Sequence, residues 1–245
     1  MTYFPGQDVI PISALIAEIL RRRVRDRGAD PLVTYYDTES GERTELSATT
    51  FANWVNKTSN LLVDDLDLEA GDPVQLALAE SHPGHWVTLI WELACWQVGA
   101  EVRTGRAEAT PVLVVGPDTG WAAARATQVV YCGLHPLGLP GPEAGDGPVL
   151  DYNLEVRGQA DQHPATRQLG QAVAWRDPDH VVTQAELVAA ASGHGARRLV
   201  VPGDPWTTAQ DGIVAPLVTG GSAVIVAGTA TDEQLDRIRR SERAD

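Results

Sequence analysis

The run GDPVQLALAESHPGHWVTLIWELACWQVGAEVR, residues 71–103, decides the fold. Gly71-Asp72 reads as a turn. Val74-Gln75-Leu76-Ala77-Leu78 has the apolar density of a strand covered on both faces. Pro83 suits a first helical turn, where a missing N–H costs nothing. Trp86, Leu89, Ile90, Leu93, Ala94 and Val98 then recur at helical spacing. Gly99 follows as a left-handed cap, and Glu101-Val102-Arg103 opens the next strand. A crossover of this length joins parallel strands, in a right-handed β-α-β unit.

Working outward, Glu42-Arg43-Thr44-Glu45-Leu46 reads as a short strand. Ser47 or Thr49 caps a helix whose apolar face is Phe51, Trp54, Val55, Thr58, Leu61 and Leu62. The whole run TELSATTFANWVNKTSNLLVDDLDLEAGDPVQLALAESHPGHWVTLIWELACWQVGAEV resembles the amino-terminal part of the adenylate-forming (AMP-binding, acyl-CoA synthetase-like) superfamily. That family shows the same order: a threonine-bearing strand, a helix, a Gly-Asp turn, an apolar strand, a helix and a closing Gly-Ala. The chain looks most like a set of short actinobacterial proteins distantly related to AMP-binding enzymes.

Upstream, Ile12, Leu15, Ile16, Ile19 and Leu20 give a helix its buried stripe. Arg21, Arg22, Arg23, Arg25 and Arg27 crowd the carboxyl end of that helix, where cations complement the dipole. Leu32-Val33-Thr34-Tyr35-Tyr36 and the strand ending at Leu46 form a hairpin around Thr38-Glu39-Ser40-Gly41. Downstream, Pro111-Val112-Leu113-Val114-Val115 is a buried strand. Asp118 caps a short helix running to Arg125, and Gln128-Val129-Val130-Tyr131-Cys132 is a further strand. Residues 133–147 are Gly- and Pro-rich loop, which Leu134, Leu137 and Leu139 anchor. Asp151 starts a short helix or turn. Ala172-Val173-Ala174-Trp175 and Asp179-His180-Val181-Val182 are strands, and Thr183 with Glu186 makes a capping box for the helix that follows. Arg197-Arg198-Leu199-Val200-Val201, a helix carrying Ile213, Val214 and Leu217, and Ser222-Ala223-Val224-Ile225-Val226 repeat the strand-helix-strand order. Thr231-Asp232-Glu233 opens a last amphipathic helix with Leu235 and Ile238 inward. The expected fold is α/β, a mainly parallel sheet flanked by helices, like the amino-terminal subdomains of an acyl-CoA synthetase. The expected division of 1–245 is a lobe over 1–132, a loop-rich connection over 133–171 and a second α/β portion over 172–245.

Composition narrows the function. The net charge of -14 repels phosphate-rich surfaces, so neither nucleic acid nor an anionic membrane is an expected partner. Lys57 is the single lysine, and it reads as a solvated surface residue. Cys95 and Cys132 stand far apart, as buried free thiols of a reducing compartment do. The first residues carry no basic segment followed by an apolar one, and the apolar stretch from Trp86 to Ala100 is too short to span a bilayer. A cytoplasmic protein is the expectation.

The resemblance implies acyl-adenylate chemistry, which needs a phosphate-cradling loop, an adenine- and metal-binding tyrosine-glycine-x-threonine-glutamate segment and a lysine from a carboxyl-terminal domain. By the match, the loop falls at Arg176-Asp177-Pro178-Asp179-His180. Pro178 removes one N–H donor. Asp177 and Asp179 oppose a triphosphate, each at about 4 kcal/mol for a pair ~4 Å apart at an effective dielectric of ~20. The other two parts have no counterpart, so catalytic residues are expected to be absent and ATP or AMP is disfavoured as a cofactor. What the match retains is Val201-Pro202-Gly203-Asp204-Pro205-Trp206, which resembles the segment lining the acyl pocket. It implies that Trp206, Thr207 and Thr208 face a ligand; read without the family, Trp206 is a core tryptophan at a strand-to-helix turn. His82 and His85, with Glu80 nearby, could in principle hold a metal, but that spacing alone is common and no metal is expected. The expectation is a non-catalytic relative that binds a small acyl or nucleotide ligand or a protein partner. The alternatives are an enzyme with an unrecognised site near Trp206 or His180, and a structural subunit of a homo- or hetero-oligomer.

Overall fold

The structure is a computed structural model. It describes residues 15–105, 109–117, 126–136, 138–139, 149–164, 170–191, 193 and 195–245. The expected helix between Asp118 and Arg125, Ile12 of the first helix, Leu137 and most of the loop 133–147 lie outside the described residues.

In chain order the elements are α1 (Ile16–Arg27), β1 (Pro31–Asp37), β2 (Arg43–Ser47), α2 (Ala48–Asn60), β3 (Pro73–Leu76), α3 (Ala77–Ser81), α4 (Trp86–Val98), β4 (Glu101–Arg103), β5 (Thr110–Val115) and β6 (Ala126–Tyr131). Then follow β7 (Val149–Asp151), α5 (Tyr152–Glu155), β8 (Val173–Arg176), β9 (Val181–Thr183), α6 (Gln184–Ala189), β10 (Arg197–Val200), α7 (Pro205–Ala209), α8 (Ala215–Thr219), β11 (Ser222–Ala227) and α9 (Asp232–Glu242). Strand β3 is shorter than its apolar run suggests: Ala77 and Leu78 have turned into α3. Helix α4 starts after Pro83, with His85 as its cap. A wide helical turn, Gln210–Val214, joins α7 to α8. It precedes Pro216, which has no N–H to return to the preceding turn.

Among the described residues, two sheets share the chain. A seven-stranded sheet runs β7-β6-β5-β3-β4-β8-β9, parallel except for the β8–β9 hairpin. A four-stranded sheet runs β10-β11-β1-β2, in which only the β1–β2 hairpin is antiparallel. Helix α4 is the common core: all thirteen of its residues are buried. Its Trp96 indole donates to the Ala174 carbonyl of β8 at 3.0 Å. Gln97 on another face donates to Asn56 and Ser59 of α2, both at 3.0 Å. Gly99 ends the helix at φ 84°, the left-handed cap that its position in the sequence implies.

Several local expectations have their partners in place. Ser47 caps α2 through the Thr50 N–H, and Thr183 with Glu186 forms the capping box of α6. The arginines of α1 reach another helix: Arg23 and Arg27 both donate to the Gly220 carbonyl at the end of α8, each at 3.1 Å. They supply the cations that this helix terminus favours. Lys57 donates to the Gln159 carbonyl and pairs with Asp161 at 3.1 Å. Both cysteines are free and buried, and burial pushes both thiols up. Among the described residues, no helix is long and apolar enough to cross a membrane.

One residue of α4 is out of keeping with its surroundings. Glu92 is completely buried and neither carboxyl oxygen has a hydrogen-bond partner. Burial raises its titration well above the ordinary range. In the folded chain it holds its proton where the unfolded chain has released it. Its contribution to stability is therefore greatest below the unfolded pKa and declines as pH rises toward the folded one. Glu92→Gln, which cannot ionise, is expected to melt above the wild type at pH 8, and the gap should close on titration toward pH ~4.3, the unfolded value. Melting curves of the two proteins across that range check it; a gap independent of pH would contradict it.

Candidate functional site

The carboxyl ends of β3, β4 and β8 open on one side of the large sheet, the usual place for a ligand crevice in an open α/β sheet. Here they form a cleft of about 630 Å³, closed on its far side by the start of α7. Glu80 comes from α3, Thr104 and Gly105 follow β4, Asp177 to His180 follow β8, and Trp206 and Thr207 come from α7.

Gly105 fixes the floor. Its φ is +85°, and a Cβ there would lie 2.9 Å from the Pro178 ring. Its N–H donates to Glu80 at 2.8 Å. Burial pushes the Glu80 carboxyl up, and the Gly105 N–H works against that rise.

The turn after β8 is organised by Asp177. Its Oδ1 accepts the backbone N–H groups of Asp179 at 2.8 Å and His180 at 2.7 Å. Its Oδ2 accepts the Trp175 indole N–H at 2.8 Å, and His180 Nδ1 lies 3.0 Å from both oxygens. Burial opposes ionisation of Asp177, but the bonds from Trp175, His180 and the two backbone groups outweigh it and hold the carboxyl below its usual range. His180 stacks on Trp206 at 5.3 Å between centroids and 28° between planes. Trp175 meets Trp206 from the other direction at 5.5 Å.

Trp206 is thus both a packing residue, set against the core, and a wall of the cleft. Asp204 caps α7: it accepts the Thr207 N–H at 2.9 Å, and that bond first of all holds the Asp204 carboxyl low. Thr207 lines the cleft. Thr208 is buried instead, its hydroxyl accepting the Gly203 N–H at 3.0 Å. Lys57, on α2, lies outside the lining.

A triphosphate does not fit this turn. The N–H groups of Asp179 and His180 already hold a carboxylate, Pro178 has none, and Glu80, Asp179 and Asp204 line the same cleft with no lysine or arginine among its described lining residues. The cleft offers a stacked aromatic surface, two threonines and a negative rim. The sequence reading treats Asp177 only as a charge facing the ligand. The signal for its inward role is the pattern itself, an aspartate two and three residues before the N–H groups it accepts. Among the described residues, no group of three or more His, Cys, Asp or Glu side chains is placed to hold a metal.

No protein-family model matches the chain. A protein of Mycobacterium tuberculosis (strain ATCC 25618 / H37Rv) described as "TIGR03089 family protein" is 33% identical over 224 residues, 88% of this chain and 90% of that one. Among solved structures, an acyl-CoA synthetase of Brucella canis superposes with a TM-score of 0.73 at 14% identity, over 94% of this chain and 46% of that one. The anthranilate CoA ligase AuaEII, solved with anthranoyl-AMP, superposes with a TM-score of 0.70 at 14% identity, over 90% of this chain and 46% of its own. The fold is therefore that of acyl-CoA synthetases, and the chain spans about 46% of the length of either solved structure.

Replacing Asp177 tests the turn. Asp177→Ala is expected to cost about 1–3 kcal/mol at neutral pH through the N–H groups left unpaired, a fall of roughly 3–10 °C in Tm for a chain this size. Because the folded carboxyl titrates below its unfolded value, the difference should persist above pH ~4 and shrink as pH falls through the folded pKa. Paired melts at pH 7 and pH 3 read both.

Proposed function

The chain belongs to the TIGR03089 family, and we propose that it is a non-adenylating relative of the acyl-CoA synthetases that acts by binding a small ligand in the Trp206 cleft. One observation supports this reading: Asp177 Oδ1 accepts two consecutive backbone N–H groups in the turn that the resemblance assigns to phosphate. The stacked Trp206–His180 pair suits a flat ligand, and the threonines supply hydroxyls for its polar atoms. The carboxylates around it favour a neutral or cationic ligand over a phosphorylated one.

A second reading is favoured by the Asp177–His180 contact. An imidazole oriented through Nδ1 by a carboxylate is a general base at its other nitrogen. In that case the protein turns over a ligand bound at the same place, without nucleotide. His180→Asn separates the two readings: it abolishes turnover under the second and leaves binding within a few fold under the first.

Two measurements test the proposal. Pyrophosphate exchange with Mg·ATP and a broad carboxylate panel is expected to give no signal above the blank, and clear exchange would overturn it. In thermal-shift titrations, AMP, ATP and CoA are expected to leave the melt unchanged. A neutral or cationic aromatic amide at ~100 times its Kd should add about 2.7 kcal/mol. Trp206→Ala should weaken that ligand roughly two- to tenfold, the range of one aromatic contact.

A further inference from the structure

The carboxylates of the Trp206 cleft do not share one role. Asp177 is engaged by its own turn, bonded by two backbone N–H groups, the Trp175 indole and His180. Asp204 caps α7 through the Thr207 N–H. Asp179 is exposed on the turn itself. Glu80 is exposed as well, on α3, yet it is anchored: its Oε1 accepts the Gly105 N–H at 2.8 Å. Gly105 lines the same cleft, so this bond holds the carboxylate end of Glu80 at the cleft wall. Among the described residues that is its one hydrogen bond, and no cation pairs with it. Burial pushes its titration up by more than the Gly105 N–H lowers it, as happens to a carboxylate that lacks a cation.

The aromatic wall selects the same charge on a different ground. Trp206 stacks with His180 at 28° between planes, and Trp175 tilts against it. The face of an indole carries negative potential and attracts cations. The stack also favours a flat partner. A neutral ring would suit this wall and leave Glu80 without a cation. An aliphatic ammonium would meet Glu80 and forgo the ring contact. An anion is opposed by both.

We propose that the cleft takes a planar aromatic cation of the aryl-amidine type, its ring against the Trp206–His180 wall and its N–H donors on the Glu80 carboxylate. This rests on the reading of the cleft as a ligand site and narrows it to one charge and one shape. Glu80 is then the residue that sets specificity. An amidinium is a fork of parallel N–H donors, the geometry that a carboxylate accepts best.

Isothermal titration of the full chain at neutral pH tests this with benzamidine, benzamide, benzoate and cyclohexanecarboxamidine. The first three share a shape and carry a positive, zero and negative charge. The last keeps the cation and loses the flat ring. Benzamidine is expected to bind saturably at one site, roughly tenfold or more tighter than benzamide, the effect of a hydrogen bond to a charged group. Cyclohexanecarboxamidine is expected to bind several-fold more weakly than benzamidine, and benzoate not at all. Glu80→Gln, whose amide oxygen can still accept the Gly105 N–H, is expected to bring benzamidine to within a few fold of benzamide and to leave benzamide unchanged. If that variant does not fold, the series on the wild type still decides. The inference is overturned, with the reading of the cleft left standing, if benzamide binds as tightly as benzamidine or if the preference survives Glu80→Gln. If none of the four binds, the reading of the cleft falls and the inference falls with it.

Discussion

The burial of α4 from end to end is the constraint on which the structure depends. A helix with no solvent face must be covered all round, and neither sheet alone does that. The large sheet takes one side, α2 and α1 take others, and the wide turn before α8 closes the rest; a Cβ on Gly212 in that turn would touch Leu89 of α4. Every polar group on such a helix then needs a local answer. Gln97 finds one in α2, and Thr88 in the His82 carbonyl at 2.7 Å. Glu92 finds none and stays protonated. His85, at the amino end, caps the helix by accepting the Val87 N–H.

The Trp206 cleft follows from how the ends of that helix are reached. Its entry loop, 81–85, is pressed against Pro202 and β11, and its exit strand β4 leads to Gly105 beneath the turn after β8. The cleft therefore sits beside the exit. There the fold is that of acyl-CoA synthetases, and the chain's own Asp177 carboxylate holds the N–H groups of the turn. A carboxylate that bonds two consecutive N–H groups does locally what a bound phosphate does. It satisfies the donors and fixes the turn.

Most of the framework is legible in the residues. The β-α-β unit of 71–103, the β1–β2 hairpin, the Ser47, Thr183 and Thr231 caps and the Gly99 terminus all rest on short-range chemistry and are found, except that α3 shortens the first strand of the unit and delays its helix to Trp86. The α/β class follows from the order of those elements, and the synthetase-like fold from the resemblance carried by residues 44–102. The rest depends on distant residues. That β1 pairs with β11 is not written in either strand. Nor does the sequence near Arg23 indicate that it ends at Gly220. At the candidate site, Trp206 and Thr207 face the cleft, whereas Thr208 turns inward because the Gly203 N–H needs an acceptor. Glu80 joins the cleft because the Gly105 N–H, 25 positions away, lies against it. No metal is expected at His85 from the sequence, and its place as the cap of α4 appears only once that helix is set.

The small sheet also sets an order of events during synthesis. Val33 of β1 pairs with Ala223 of β11, 223 − 33 = 190 positions later. Until β11 leaves the ribosome, β1 has only its hairpin partner, and one edge of a strand with Leu32 and Val33 fully buried in the finished fold stands open. The large sheet pairs over shorter separations and is free to form first. The nascent chain thus carries an unpaired apolar edge while those 190 positions are made, the kind of surface that recruits chaperones or pairs with another copy. Late closure of the small sheet is the expected kinetic consequence of pairing two strands so far apart.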